Sequence, residues 1–444
     1  MTPIGQLARA AVVAAACASA AAPAAARPLS AEARRGRAAM QRAECTRCHD
    51  VTDPAGDGRG VSPAPRGRHC VGCHTWILST RGDADAIARH RHRYPDWDRY
   101  LESIEHFTRL PDLGTIARRV RPEFLRAFLD APFDLRPHLD ESMVPVQLSA
   151  RDKDAVVAYL RELAGDQAVP RGAPAAPEPS AARVAAGRAA FERAGCASCH
   201  VVGNERFGAD YTPALYAAMK SRALLAPNLR HVRARIPRDV LVRYIADPQA
   251  VDPRSTMPRL DLPAGDIEQI ADYLLSGDAD VPAPPAPLRA GDVAVLDRPV
   301  GFDEVYARVF GRICVHCHMN ADANGGDGGP GNTGGLGFAG AGLDLETYAG
   351  MRRGALRGGR RVSVLDPGPD GSPPLLLQSL LRRHAEAAAR DARPVYGDAA
   401  IVARPAGDRP GMPLGLPPLP PRDLQLVKTW LAQGAPGPRR AASR

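Results

Sequence analysis

The chain has 444 residues, which is long enough for about three domains of ordinary size. Its formal net charge is +9, but no basic block with interleaved aromatic residues occurs, so the charge does not favour a nucleic-acid-binding protein. Hydrophobic residues make up 45% of the chain, which is enough to build packed cores. Beyond residue 26, no stretch approaches the roughly 18 consecutive apolar residues that a membrane-spanning helix needs.

The first 26 residues are predicted to be an export signal. Arg9 supplies a short basic region, an alanine-rich run follows over 10–26, and the small residues ending at Ala26 suit a cleavage site. We therefore expect an exported, periplasmic protein whose mature chain has no membrane span. Cys17 offers a second interpretation, a lipid anchor, although the leucine usual at such sites is missing.

Two cysteines three positions apart, followed at once by a histidine, occur four times in the chain. The eight cysteines are Cys45, Cys48, Cys70, Cys73, Cys196, Cys199, Cys314 and Cys317, and the histidines are His49, His74, His200 and His318. C-x-x-C-H is the attachment sequence for c-type haem, in which both thiols bond to the haem and the histidine binds the iron. The sequence therefore predicts four covalently bound haem c groups.

Zinc and redox-active disulfides are the alternatives to haem. The first two cysteine pairs have nearly the spacing of a zinc ribbon, and an isolated C-x-x-C is also a redox motif. Neither alternative requires a histidine directly after each pair. Histidine is only 12 of the 444 residues, so four such coincidences by chance are improbable.

Two proline-rich stretches, 166–181 and 278–297, are predicted to be linkers. They divide the chain into three blocks, which we call block one (27–165), block two (182–277) and block three (298–437).

Blocks one and two are related by an internal repeat. Residues 36–49 match 187–200, and Pro111-Asp-Leu113 matches Pro227-Asn-Leu229. The motif and the Pro-x-Leu segment lie further apart in block one. Block one therefore has an insertion, and the second haem motif lies inside it.

Block three follows a similar plan. Phe302, Val305, Val309 and Ile313 recur at helical spacing just before Cys314, which predicts a helix with one buried face.

Blocks one and two run in the order helix, C-x-x-C-H, Pro-x-Leu, late methionine, and a final amphipathic helix with an aromatic residue, and block three follows this order more loosely. This order is similar to the class I cytochrome c domain. The resemblance implies a mainly α-helical fold of three small helical haem domains joined by Pro/Ala-rich linkers, the first with an inserted second haem. It also implies that Met143, Met257 and Met412 are the second iron ligands opposite His49, His200 and His318. Pro111 and Pro227 would orient their histidines, and Tyr159, Tyr273 and Trp430 would pack against the first helices.

The second haem has no methionine in its insertion. His90, His92 and His106 lie in that segment, and His92 and His106 are the leading candidates for its distal ligand. A distal histidine gives a lower reduction potential than a methionine does.

The first functional interpretation is a periplasmic tetrahaem cytochrome that takes electrons from a dehydrogenase or quinol oxidase and passes them to a terminal acceptor. The alternative is a haem enzyme, a peroxidase or a sulfur-compound oxidase, in which the second haem is an open catalytic site. The methionine pattern favours the carrier over the enzyme.

Overall fold

The computed structural model describes most of the chain after the export segment. The described residues are 28–56, 58–64, 69–94, 97–104, 110–130, 132, 135–136, 143–144, 146, 148–203, 205, 207, 225–276, 286, 288–320, 338, 341–388 and 410–439. The export segment with Cys17, the candidate ligand His106, and most of the first half of the second linker lie outside these residues.

The described part of block one consists of helices and 3-10 turns joined by loops, with one isolated β-bridge between Val51 and Val61. Its helices are α1 (Ala31–Arg42), a 3-10 turn (Cys45–Arg47), α2 (Cys70–Ser79), α3 (Ala84–Arg93), α4 (Trp97–Ser103), a 3-10 turn (Ile116–Arg118), α5 (Pro122–Asp130) and α6 (Ala150–Ala164). Serines cap the first and last helices: the Ser30 hydroxyl accepts the Ala33 N–H, and the Ser149 hydroxyl accepts the Asp152 N–H.

Block two repeats this plan. After a 3-10 turn (Gly165–Gln167) at the start of the first linker come α7 (Ala181–Arg193), 3-10 turns at Cys196–Ser198 and Leu229–His231, α8 (Val232–Arg235), α9 (Arg238–Ala246), α10 (Pro248–Val251) and α11 (Ala264–Leu274). The first haem motif of block one and the motif of block two both form a 3-10 turn directly after the first helix of the block. The repeat seen in the sequence is therefore also a repeat of local structure.

A glycine brings the first and last helices together in both blocks. A Cβ at Gly36 of α1 would collide with the Ala155 carbonyl of α6 and lie 2.9 Å from the Tyr159 Cβ. A Cβ at Gly187 of α7 would meet Gln269 and Tyr273 of α11 in the same way. Glycine is unfavourable inside a helix, so its presence here is explained by the close approach of the two backbones.

In block three the first and last helices also meet, but aromatic side chains lie between them. Its elements are a 3-10 turn (Ala290–Asp292), α12 (Phe302–Val305), a π-helix (Tyr306–Cys314), α13 (Val315–Cys317), α14 (Tyr348–Arg353), β1 (Ala355–Arg357), β2 (Arg360–Val362), α15 (Leu375–Ala388) and α16 (Pro421–Ala432). The two strands are antiparallel, with Ala355 opposite Val362. Trp430 of α16 is fully buried and lies edge-on to Phe310, with ring centroids 5.8 Å apart.

The expected buried face of the first helix in block three is correct for three of its four residues. Phe302, Val305 and Val309 are buried, but Ile313 is 38% exposed. From Tyr306 onwards the helix is a π-helix, whose hydrogen bonds join residues five apart. Residues at α-helical spacing therefore do not stay on one face of it, and Ile313 lies away from the core.

The insertion of block one has a small core of its own. Cys73 and Ile77 of α2 pack with Trp97 and Tyr100 of α4 and with Ile104. This cluster is separate from the cluster formed by α1 and α6.

The predicted first linker is packed against the blocks on either side. Val169 is 2% exposed, and its N–H donates to the Ala117 carbonyl at 2.8 Å. The Arg121 guanidinium donates to the carbonyls of Ala173 and Pro174 at 2.6 and 3.1 Å. These contacts attach the segment to block one at several points.

Within the part of the chain that the structure describes, no helix combines the length and the apolar character needed to cross a membrane.

Replacing Gly187 with alanine tests the helix crossing. The added methyl group has no space beside Gln269, so we expect block two to lose about 1–3 kcal/mol of its free energy of unfolding. Denaturant unfolding followed by circular dichroism measures the change.

The matched control is Gly265→Ala, in the first turn of α11, where nothing lies within 4 Å of the added Cβ. This change should be neutral or stabilise by up to about 1 kcal/mol. Equal losses in the two variants would show that close packing is not the reason for glycine at 187.

Candidate functional site

The imidazole rings of His49 and His200 are held in the same way. His49 Nδ1 lies 2.9 Å from the Pro111 carbonyl oxygen, and His200 Nδ1 lies 3.0 Å from the Pro227 carbonyl oxygen. A carbonyl can only accept, so Nδ1 carries the proton and Nε2 keeps its lone pair. This is the arrangement typical of a metal-binding histidine, and it confirms the hydrogen bonds that the resemblance implied for the two prolines.

The side chain after each proline fixes the position of that carbonyl. Asp112 Oδ1 accepts the N–H of Gly114 at 2.8 Å and that of Thr52 at 3.1 Å. Asn228 Oδ1 accepts the N–H of Arg230 at 3.1 Å and that of Gly203 at 3.0 Å. Each side chain thus ties the proline turn to the loop that follows the haem motif.

The leucine that follows the Asp or Asn also ties the proline turn to the haem motif. The Leu113 N–H donates to the Asp50 carbonyl at 2.9 Å, and the Leu229 N–H donates to the Val201 carbonyl at 2.8 Å. Asp50 and Val201 directly follow the motif histidines. These backbone and side-chain hydrogen bonds together fix the position of the proline carbonyl relative to the imidazole ring.

Block three contains the same turn without the proline. Asp344 Oδ1 accepts the Glu346 N–H at 2.9 Å, and the Leu345 N–H donates to the His318 carbonyl at 2.7 Å. Leu343 therefore occupies the position of the prolines. Sequence reasoning missed this turn because it searched for Pro-x-Leu, whereas the shared feature is an Asp or Asn followed by Leu.

His318 is held more loosely than its two counterparts. Its side chain is buried, and among the described residues its Nδ1 forms no hydrogen bond. Burial lowers the pKa of His318, and the nearby Leu343 carbonyl partly opposes this. Burial also lowers the pKa of His49. Both imidazoles are therefore neutral near pH 7, as an iron ligand must be.

None of the eight motif cysteines forms a disulfide bond. Burial raises the pKa of Cys45 and Cys196 to about 11 and that of Cys314 to about 12. These side chains are uncharged at neutral pH and lie next to the hydrophobic cores of their blocks. Two free thiols beside a neutral imidazole with an available Nε2 are the donor set that covalent haem requires, so the residues fit the group.

The three late methionines lie half-buried in loops. The Met257 carbonyl accepts from Gln249 Nε2 at 2.8 Å, and the Met257 N–H donates to Ser255 Oγ at 3.3 Å. The Met412 N–H donates to the Ser379 carbonyl at 2.9 Å. These hydrogen bonds fix the backbones of two of the loops, and the pairing of each methionine with its histidine stays a prediction.

The second motif has a different environment. It begins α2, and the His69 ring caps this helix by accepting the Gly72 N–H at 2.8 Å. His90 stacks on Trp97 with ring centroids 4.4 Å apart, so it belongs to the aromatic packing of the insertion. His92 is exposed near the end of α3, and His106 lies outside the described residues. The distal ligand of this site stays a prediction.

Comparison with known families gives one match. Residues 184–278 match the cytochrome c family. The chain contains a cytochrome c domain. The matched segment is block two, where the histidine–proline hydrogen bond is present, and the family implies covalently bound haem c with its iron. The presence of this domain supports the interpretation that the protein transfers electrons by means of haem and has redox partners. No curated protein and no solved structure matches the chain.

Replacing Met257 with leucine tests the role of its sulfur. Leucine keeps a similar apolar volume but cannot bind iron, so we expect haem to stay attached while the reduction potential of one haem falls or its iron becomes high-spin. Redox titration and EPR of the haem-loaded protein measure both properties.

Met351→Leu is the matched control, because Met351 is fully buried in the core of block three. It should leave potentials and spin states unchanged. If Met257→Leu also leaves them unchanged, Met257 is not an iron ligand.

Proposed function

We propose that this protein is a periplasmic tetrahaem c-type cytochrome that transfers electrons between a donor oxidoreductase and a downstream acceptor. The observation behind this proposal is the recurrence of C-x-x-C-H four times. The motifs at Cys45, Cys196 and Cys314 precede the same Asp/Asn-Leu turn, and the motif at Cys196 lies inside the cytochrome c domain. Residues 1–26 support export, and the donor and acceptor belong to the class of redox proteins.

The role of the polypeptide is to keep the side chains that bind each haem iron in fixed positions. When bound, haem iron supplies a one-electron change between the ferric and ferrous states. The carbonyls of Pro111 and Pro227 keep their imidazoles in one tautomer and one orientation, and the thioethers of Met257 and Met412 favour the ferrous state. A site with two fixed ligands changes little between oxidation states, so electron transfer needs no acid, base or bound substrate.

The second motif gives the alternative function a specific basis. Its insertion has no methionine, His90 is engaged with Trp97, and His92 is exposed. An iron held by His74 alone would leave one face open to a small molecule such as peroxide or a reduced sulfur compound. The protein would then be an enzyme in which the other three sites supply or remove electrons.

Haem stoichiometry tests the four-site proposal. We expect the mass of the mature protein to include four haems, and Cys70→Ala with Cys73→Ala to reduce the number to three because no thiol remains at the second site. Intact-protein mass spectrometry gives the count. An unchanged haem mass in the double variant would exclude attachment at Cys70 and Cys73.

Spin state and ligand binding separate carrier from enzyme. If the protein is a carrier, we expect the oxidised protein to be low-spin at every haem and to bind cyanide slowly or not at all, because each iron has two protein ligands. EPR and visible spectra with and without cyanide and peroxide make the measurement. One high-spin haem in four that binds cyanide and reacts with peroxide would instead establish the enzyme.

A further inference from the structure

The haem sites of blocks one and two meet at a charged contact. Arg254, three residues before Met257, donates to Asp50 Oδ2 at 2.7 Å, and its Nε lies 3.3 Å from Asp112 Oδ2. Asp50 follows His49, and Asp112 follows the proline that holds His49. The methionine loop of the third motif therefore rests on the histidine loop of the first motif.

A buried ion pair fixes this contact. Arg119 Nη1 lies 2.6 Å from Asp252 Oδ2, and the two side chains are only 8% and 10% exposed. The Asn228 N–H also donates to the Leu135 carbonyl of block one at 2.7 Å. Two charges removed from water must stay paired, so the first and third motifs are held in one relative position.

The first and second motifs touch through their cysteines. The thiols of Cys48 and Cys70 lie close enough to interact, which raises the pKa of Cys48 and lowers that of Cys70. His69, directly before Cys70, has its Nε2 3.8 Å from Asp50 Oδ1. Cys48 and Cys70 would each hold one haem through a thioether bond, so the attachment sites of the first and second haems lie next to each other.

The second motif in turn contacts the fourth. Tyr100 of α4 has its hydroxyl 3.4 Å from His316 Nδ1, with ring centroids 5.8 Å apart. His316 lies between Cys314 and Cys317, and it is also close enough to Cys70 to affect that thiol. Arg312, on the helix leading into the fourth motif, pairs with Glu102 of α4 at 3.5 Å.

We propose that the four haem sites form a single row in the spatial order three, one, two, four, in which the inserted second haem connects block three to the other sites through the contacts seen among the described residues. This inference rests on the proposed function. Each transfer along the row oxidises one iron by one electron and reduces its neighbour by one electron, and no bond forms or breaks. The insertion thus has a role: it connects two cytochrome c-like blocks to the third.

Pulsed EPR of the oxidised, haem-loaded protein tests the order, because it measures distances between paramagnetic irons. Removing haem three (Cys196→Ala with Cys199→Ala) should leave two close iron pairs, one–two and two–four. Removing haem two (Cys70→Ala with Cys73→Ala) should leave only one close pair, one–three. If the haems instead followed one another in chain order, each variant would keep one close iron pair. An equal number of close iron pairs in the two variants would therefore overturn the proposal.

Haem mass keeps this test separate from the function itself. A parent protein with fewer than four haems refutes the tetrahaem function, whereas four haems with equal counts of close pairs refute only the spatial order.

Chemical cross-linking tests the two–four contact without removing a haem. The chain has only three lysines, Lys153, Lys220 and Lys428, so an added lysine gives a distinct product. In Arg312→Lys, a zero-length carbodiimide should join the new amine to Glu102, as peptide mass spectrometry would detect. Arg308→Lys is the matched control and should join to Asp423, the partner of Arg308 within block three. A control cross-link without the Glu102 cross-link would overturn the two–four contact.

Discussion

The close crossing of the first and last helices is the constraint on which blocks one and two depend. Gly36 and Gly187 let the helix backbones approach until Tyr159 and Tyr273 lie against the glycines. Because each haem motif begins within three residues of the end of the first helix, this crossing also sets where the two thiols and the histidine enter the site. A larger side chain would separate the helices and move the motif.

Block three reaches a similar arrangement with different contacts. Phe310 and Trp430 fill the space between its first and last helices, and the first helix widens into a π-helix before Cys314. The imidazole of His318 lies below a leucine carbonyl and not a proline carbonyl. These differences explain why the sequence repeat is weaker in block three, which still shares the Asp-Leu turn with blocks one and two.

Asp50 connects three of the four motifs. Its carbonyl anchors the turn that holds His49, while its carboxylate contacts Arg254 of block two and lies near His69 of the insertion. Arginines also cluster at this interface: burial and the nearby Arg119 together lower the pKa of Arg235 to about 10.

The sequence by itself determined the chemistry of the sites. The four motifs, the repeat between blocks one and two, the two histidine–proline pairs and the mainly helical fold could all be predicted, because each follows from residues close together in the chain or from a recurring order. The tertiary structure alone decided which motifs touch. The Arg254–Asp50, Cys48–Cys70 and Tyr100–His316 contacts join residues far apart in sequence, and no local pattern encodes such pairings. The exposed Ile313 and the turn at Leu343 were missed for a related reason: a π-helix and an Asp-anchored turn are set by packing around them, not by spacing along the chain.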